Sequence, residues 1–343
     1  MSTAVELTRK PDSPGAPRSA QLRLLASLAA VGAGAAAIVV GVLVLRSLAP
    51  IASTATATNT GASSTTAVAH PSAPAGYPAP PAGAVVLGSR AGLDVLGLSL
   101  VPGRAETTLQ ASVVGEQGNG VRGLEVRFDV SGATGERSTV TGAPCGPGCY
   151  RATVAIGRPR SVGVRIGLAL PVSFALPAAW PPPPAAGIVR RAAATWRRLR
   201  SVAIHDSLGD GRIVLQTEWQ IVAPDRIAYQ IAGGGGSAVI IGNRRWDKPA
   251  GATRWLTSPQ SPVRQPEPFW QSQTNAHLLG TVSSAGRPAW KVSFFDPQTP
   301  GWYTIVVDKA TMWTREMWMT ATVHFMHENY SAFNAPLSIT PPA

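Results

Sequence analysis

Residues 289–320 read AWKVSFFDPQTPGWYTIVVDKATMWTREMWMT. Three short runs, 290–295, 302–307 and 313–319, are rich in aromatic and β-branched residues. Asp296-Pro297 and Asp308-Lys309 separate them, and both pairs are turn formers. Apolar runs of strand length bounded by such breaks predict consecutive antiparallel strands, and residues 322–327 supply a fourth. Upstream the pattern repeats. Asp210-Gly211 precedes a run at 213–222, Ala223-Pro224-Asp225 interrupts it, and 226–231 resumes it. Gly233–Gly236 breaks it again before 238–241 and Arg245-Trp246-Asp247. Ahead of these strands, residues 185–200 read as a helix, with Ile188, Ala192, Trp196 and Leu199 on one face. One helix followed by a long meander implies an α+β layout, a curved antiparallel sheet (half-barrel) with a packed helix, over residues 185–343.

Nine of the ten tryptophans lie between Trp196 and Trp318. Each buries a large area while its N–H seeks a partner, so the cluster fits either a large core or an apolar space between sheet and helix. Trp219, Trp246, Trp255, Trp290 and Trp302 are the expected lining of that space.

Working toward the N-terminus, residues 176–184 (LPAAWPPPP) form a Pro-rich linker expected to be a stiff polyproline II spacer. Residues 84–175 are mainly β, with strand candidates at 93–100, 107–114, 124–130 and 150–156 between Gly-rich turns, which predicts a small Ig-like antiparallel β-sandwich. Residues 46–83 are rich in Ala, Thr, Ser, Pro and Gly. From Pro50 to Gly83 they carry no Lys, Arg, Asp or Glu, and are expected to be a disordered tether.

Residues 24–45 are an uncharged apolar run, LLASLAAVGAGAAAIVVGVLVL. As a helix it would cover roughly 33 Å, enough for a bilayer core of about 30 Å. Arg9, Lys10, Arg18 and Arg23 precede it and only Arg46 follows closely. The positive-inside rule then predicts a single-pass signal-anchor in the cell membrane, with residues 1–23 a cytoplasmic stub and the β-rich part extracytoplasmic. A cleaved signal peptide is the competing reading. The formal net charge of +12 suits anionic lipid headgroups or acidic envelope polymers. Nucleic acid is not an expected partner on that side of a membrane.

The segments APDRIAYQI, AVIIGNRRWD and the 289–320 stretch resemble the LolA-like lipoprotein-carrier superfamily. That resemblance implies a half-open barrel cupping a lipid or an acylated partner under a helix. GLEVRFDV and GPGCYRATV resemble the YtkA-like or FixH-like sandwich. The two together, with the ending HFMHENYSAFNAPLSITPP, are similar to the exported C-terminal part of actinobacterial copper-resistance D (CopD) family proteins. Those proteins carry a multi-helix membrane domain, whereas this chain has one apolar span.

Cys145-Gly-Pro-Gly-Cys149 is the sharpest local motif. On the oxidising side of a membrane a disulfide is expected, and Gly-Pro-Gly can turn the chain tightly enough to close it; a Cu(I) thiolate pair and a redox-active pair are the alternatives. His324, Met326 and His327, with Met317 and Met319 on the preceding strand, carry imidazole and thioether groups that suit copper. On strands, His324 and Met326 share one face while His327 takes the other, and packing is the ordinary role of such residues. Catalysis has little support. His205, Asp206 and Ser207 are adjacent, so strand geometry sends them to opposite faces. No Gly-x-Ser-x-Gly or His-Glu-x-x-His occurs, and Gly233–Gly236 lack the helix and Lys of a phosphate loop. The expectation is a membrane-anchored, non-enzymatic binding protein for a lipid, an acyl chain or a lipidated partner, with no resident cofactor. The alternatives are copper homeostasis, by binding copper or assisting a membrane copper transporter, and a structural envelope interaction module.

Overall fold

Alternating apolar and polar residues sort the chain into three antiparallel sheets in a computed structural model that describes residues 73–343. The expected stub, membrane span and most of the tether lie outside the described residues. Among the described residues, no helix is long and apolar enough to cross a membrane.

The sandwich forms as expected. One sheet has the order β1 (Val85–Ala91), β2 (Asp94–Pro102), β3 (Thr107–Val114), β7 (Cys149–Val154), β6 (Ala143–Gly146). The other runs β5 (Arg137–Thr141), β4 (Val126–Gly132), β8 (Pro159–Ile166), β9 (Val172–Ala175). Leu96, Leu98, Leu100, Leu109, Phe128 and Val164 fill the space between them. The Cys145–Cys149 disulfide closes the β6–β7 turn, with Cα atoms 5.0 Å apart.

The C-terminal part is one eleven-stranded curved sheet that does not close. Helix α1 (Ala186–Trp196) leads into β10 (Ser201–Gly209), β11 (Val214–Val222), β12 (Arg226–Ile231), β13 (Ser237–Ile241), β14 (Arg244–Lys248) and β15 (Leu256–Pro259), each pairing with the next. The chain then crosses to the opposite edge and returns through β16 (Thr274–Ser284), β17 (Arg287–Asp296), β18 (Gly301–Asp308), β19 (Thr314–Ala321) and β20 (His324–Ser331), which pairs with β10. A connection between two sheet edges must cross one face. Residues 260–273 do so on the concave side, burying Val263, Gln265 and Trp270. Helix α1 covers the neighbouring part of that side through Val189, Ala192, Ala193 and Trp196, against Val292, Ile305 and Met317. The expected face is correct except that Val189 is buried and Ile188 only partly.

Two expected spacers are docked rather than free. Residues 73–83, assigned to the tether, are held by Gln110 Nε2 to Ala79 O (3.0 Å), Ser112 Oγ to Pro78 O (2.6 Å) and Asn275 Nδ2 to Pro81 O (2.6 Å). Ala73 and Tyr77 pack against the buried cluster around Trp302, with the Tyr77 ring 6.1 Å from that of Trp302 between centroids. The Pro-rich segment lies along β16, where Leu278 N donates to Pro183 O (2.8 Å) and Ala185 N to Ala276 O (2.8 Å). Leu176 and Trp180 meanwhile pack against the sandwich core.

The two halves meet back to back. Strand β2 is buried on both faces, so its LGLSL run is almost continuously apolar. Leu96, Leu98 and Leu100 serve the sandwich core. Val86, Val95 and Val114 meet Phe295 and Trp302 from the convex side of the curved sheet. Two glycines make room for Trp302. A Cβ on Gly88 would lie 2.5 Å from Trp302 Cβ, and one on Gly97 would lie 2.1 Å from Cζ2. Arg90 Nη1 donates to Gly211 O (3.0 Å), and Arg212 pairs with Glu116, at the margin of this seam.

Candidate apolar binding cavity

Strand parity decides which side chains face the concavity. On β10 these are Val202, Ile204 and Asp206, and across the ladder Asp206 faces Glu328 while Ile204 faces Tyr330. On β11 and β12 they are Trp219, Ile221 and Ile227: Trp219 is opposite Ile204, and Ile221 is opposite Val202 on one side and Ile227 on the other. On β19 and β20 they are Met317, Met319 and Met326.

Between this face, α1 and the crossing segment lies an inner cavity of about 90 Å³. Trp196, Ile204, Trp219, Ile221, Ile227 and Met326 form its apolar lining, and Phe269 and Pro268 its cover. Asp206, Gln265, Glu267, Gln271, Glu328 and Tyr330 supply the polar part. The cover is tied down at three places. Arg197 Nε meets Glu267 Oε2 at 2.7 Å, and Gln265 N donates to Pro224 O at 2.7 Å. Fully buried Asp296 accepts from Gln271 N (2.7 Å) and Ser272 Oγ (2.5 Å), while holding its own turn through Gln298 N and Thr299 Oγ1.

Phe269 also lines a second, larger cavity of about 630 Å³. Its curved-sheet wall is Tyr303, Met319, Ala321 and His324, and its other wall comes from residues 74–77, Gly118–Gly120, Arg122 and Pro147. The two spaces are neighbours, because Met319 of the outer and Met326 of the inner are register partners.

The acids deep in the inner cavity are unusual. Asp206 and Glu328 are buried and opposite each other on adjacent strands. The Tyr330 hydroxyl donates to Glu328 Oε2, and Asp206 Oδ1 has no hydrogen-bond partner. Burial disfavours two charges here, pushing the Glu328 carboxyl up to about 8 and that of Asp206 up to about 7. The nearby Trp219 indole and His205 pull Asp206 the other way, and the negative charge of Asp206 adds to the rise at Glu328. Two such groups titrate as a pair, and the rise at each favours its protonated form. Burial raises Tyr330 as well.

Of the five tryptophans expected at this site, Trp219 is the one that lines the cavity. Trp246 pairs with Val239, one residue out of phase with the inward Ala238 and Ile240, so it faces the convex side. Trp302 is likewise out of phase with the inward Tyr303 and Ile305 and fills the seam instead. Trp290 is on the concave side but beyond the cavities, where Lys309 Nζ lies 5.6 Å from its ring centre. Trp255 directly precedes β15 and lines neither cavity. Trp196, expected on the helix face, and Phe269 of the crossing segment take their places.

His324 and Met326 share the concave face with Met317 and Met319, as strand parity required. His324 Nδ1 is 2.9 Å from Thr322 O. His327 is on the convex face, stacked on Trp318 at 4.7 Å, and does not join them. Asp206 points inward, while His205 is outside against Glu218 (2.6 Å), so the three adjacent residues form no triad. Asp206, Glu328 and Tyr330 were missed as a site. Their signal is inward parity: Asp206 falls in step with Val202 and Ile204, and Glu328 between Met326 and Tyr330.

No family model matches the sequence, and no curated protein matches it. Among solved structures, the chain is similar to LprF from Mycobacterium bovis, at 12% identity and a TM-score of 0.35, over 47% of this chain and 99% of that one. It is also similar to the lipoprotein LppX from Mycobacterium tuberculosis, at 13% identity and a TM-score of 0.36, over 45% and 97%. A DUF1329 family protein from Desulfovibrio piger is similar at 11% identity and a TM-score of 0.23, over 44% and 92%.

Proposed function

We propose that this chain is a non-enzymatic, membrane-anchored extracytoplasmic protein whose curved sheet binds a lipid, an acyl chain or a lipidated partner. The observation that carries the reading is the pair of adjoining cavities, the inner one under α1 and the crossing segment and the outer one sharing Phe269 with it, with an apolar floor of Ile204, Trp219, Ile221, Met319 and Met326. Burial of a hydrocarbon chain there would contribute about 0.8 kcal/mol per methylene. The resemblance to the LolA-like superfamily points the same way, and the anchor rests on residues 24–45. Native mass spectrometry of the purified full chain is expected to show a co-purifying lipid or uptake of added acyl probes. A chain that is empty and ignores those probes refutes the reading.

A copper role is a second reading. Met319, Met326 and His324 lie on one face of adjoining strands, with Met319 and His324 both at the outer cavity. Titration with Cu(I) would show uptake that Met319→Leu and His324→Ala remove; no uptake by the unaltered chain rejects direct binding.

A further inference from the structure

The chain carries a formal net charge of +12, yet no Lys, Arg or His lines the inner cavity. Its charged lining is Asp206, Glu267 and Glu328. Glu267 is matched by Arg197. Asp206 and Glu328 are 4% and 6% exposed, and among the described residues neither has an ion-pair partner. His205 is on the opposite face of β10 and is paired with Glu218. Four aromatic residues, Trp196, Trp219, Phe269 and Tyr330, line the same small space, and Asp206 Oδ1 is left without a partner.

A buried carboxyl pair is costly unless it is kept protonated or matched by positive charge. An anionic headgroup would meet like charge and no cation. A neutral one would satisfy a hydrogen bond and leave the acids as they are. An ammonium group would be attracted both by carboxylates and by aromatic rings, whose combination is how quaternary ammonium ligands are held. We propose that the inner cavity takes the alkylammonium end of a cationic amphiphile, whose hydrocarbon chain runs past Phe269 into the outer cavity. The outer cavity contains Arg122 and His324 and no acid, so the cation belongs at the inner end. When the cation enters, the carboxyl O–H of the pair breaks, its proton leaves to solvent, and the resulting carboxylate faces the ammonium. This inference rests on the concavity being an apolar-ligand site.

The test is calorimetric titration of the full chain at neutral pH with hexyltrimethylammonium, hexylamine, hexanoate and hexanol. Both cations are expected to bind at least about tenfold more tightly than hexanol. Hexanoate should bind more weakly than hexanol. Runs in two buffers of different ionisation enthalpy should show a proton released with the cations and none with hexanol. Asp206→Asn combined with Glu328→Gln should erase the preference and the proton release while hexanol still binds, which also reports that the variant is folded. Glu328→Gln alone, which keeps an oxygen for the Tyr330 hydroxyl, is the second variant and should weaken the preference. Hexanol or hexanoate binding as tightly as the cations, or a preference that survives substitution, overturns the inference while leaving an apolar site standing. No binding by any of the four removes both.

Discussion

Adding one methyl group at Gly97 should unseat the seam between the two halves, and its cost should depend on Trp302. The added Cβ would lie 2.1 Å from Cζ2, 2.2 Å from Cε2 and 2.7 Å from Nε1 of the indole. Ordinary carbon contacts are about 3.5–4.0 Å, so the ring must retreat by more than about 1 Å. It has little room, being 2% exposed and packed against Phe295 at 5.2 Å and Val95. Overpacking of this kind costs about 1–3 kcal/mol. Trp302→Ala alone should cost about 3–5 kcal/mol through the cavity it leaves. In the Trp302→Ala background the obstacle is gone. Gly97→Ala there should be neutral or should stabilise by up to about 1 kcal/mol, because the unfolded chain loses freedom. The expected coupling is therefore about 1–4 kcal/mol, largely within the range of about 0.5–3 kcal/mol seen for residues in contact. Urea unfolding of the full chain and its three variants, followed by circular dichroism, measures it. A Gly97→Ala cost that agrees within about 0.5 kcal/mol in both backgrounds would refute the seat.

Asp206 and Glu328 have folded pKa values above their unfolded values of about 4. The stability gained by holding them protonated is complete below that pH and is lost as pH rises through about 7 to 8. The urea midpoint of the native chain should thus fall between pH 5 and pH 9 more than that of the Asp206→Asn, Glu328→Gln variant; equal falls contradict the assignment. Replacing Cys145 and Cys149 with Ser should lower stability by about 2 kcal/mol, as expected for so short a loop, and thiol labelling of the unreduced native chain should be nil. Asp296→Ala strands Gln271 N and Ser272 Oγ and should cost about 3 kcal/mol or more. It should also speed amide exchange at 269–272, and unchanged exchange there would show that Asp296 does not hold the cover.

Much of the curved sheet was legible because its strands are short, aromatic and bounded by Asp-Pro, Asp-Lys and Asp-Gly. The expected run 226–231 coincides with β12, and 302–307 falls inside β18. Strands β10 and β16 are hard to read from sequence, since Asp206 interrupts the apolar face of one and register shifts break the alternation of the other. An apolar space is one of two readings the tryptophans allow, and most of its lining is not legible from them. Tryptophan content says that large rings are buried and leaves their side of the sheet open. Parity supplies the side only once register is fixed, and it sends Trp246 and Trp302 outward. The crossing segment carries few strand or helix signals, so Phe269 and Trp270 had no sequence-level partner. Gly88 and Gly97 read as weak points in strands, and their use appears only when an indole from some 200 residues away fills the space.

The outer cavity has walls from both halves of the molecule, Tyr303 and Met319 on one side and Gly120, Arg122 and Pro147 on the other. By mass action, whatever fills such a cleft favours every arrangement that preserves it. Occupancy would therefore be felt in the sandwich as resistance to proteolysis or heating, although the guest lies mostly on the other half. Severing the halves would loosen a ligand's grip without altering a single residue of the inner chamber.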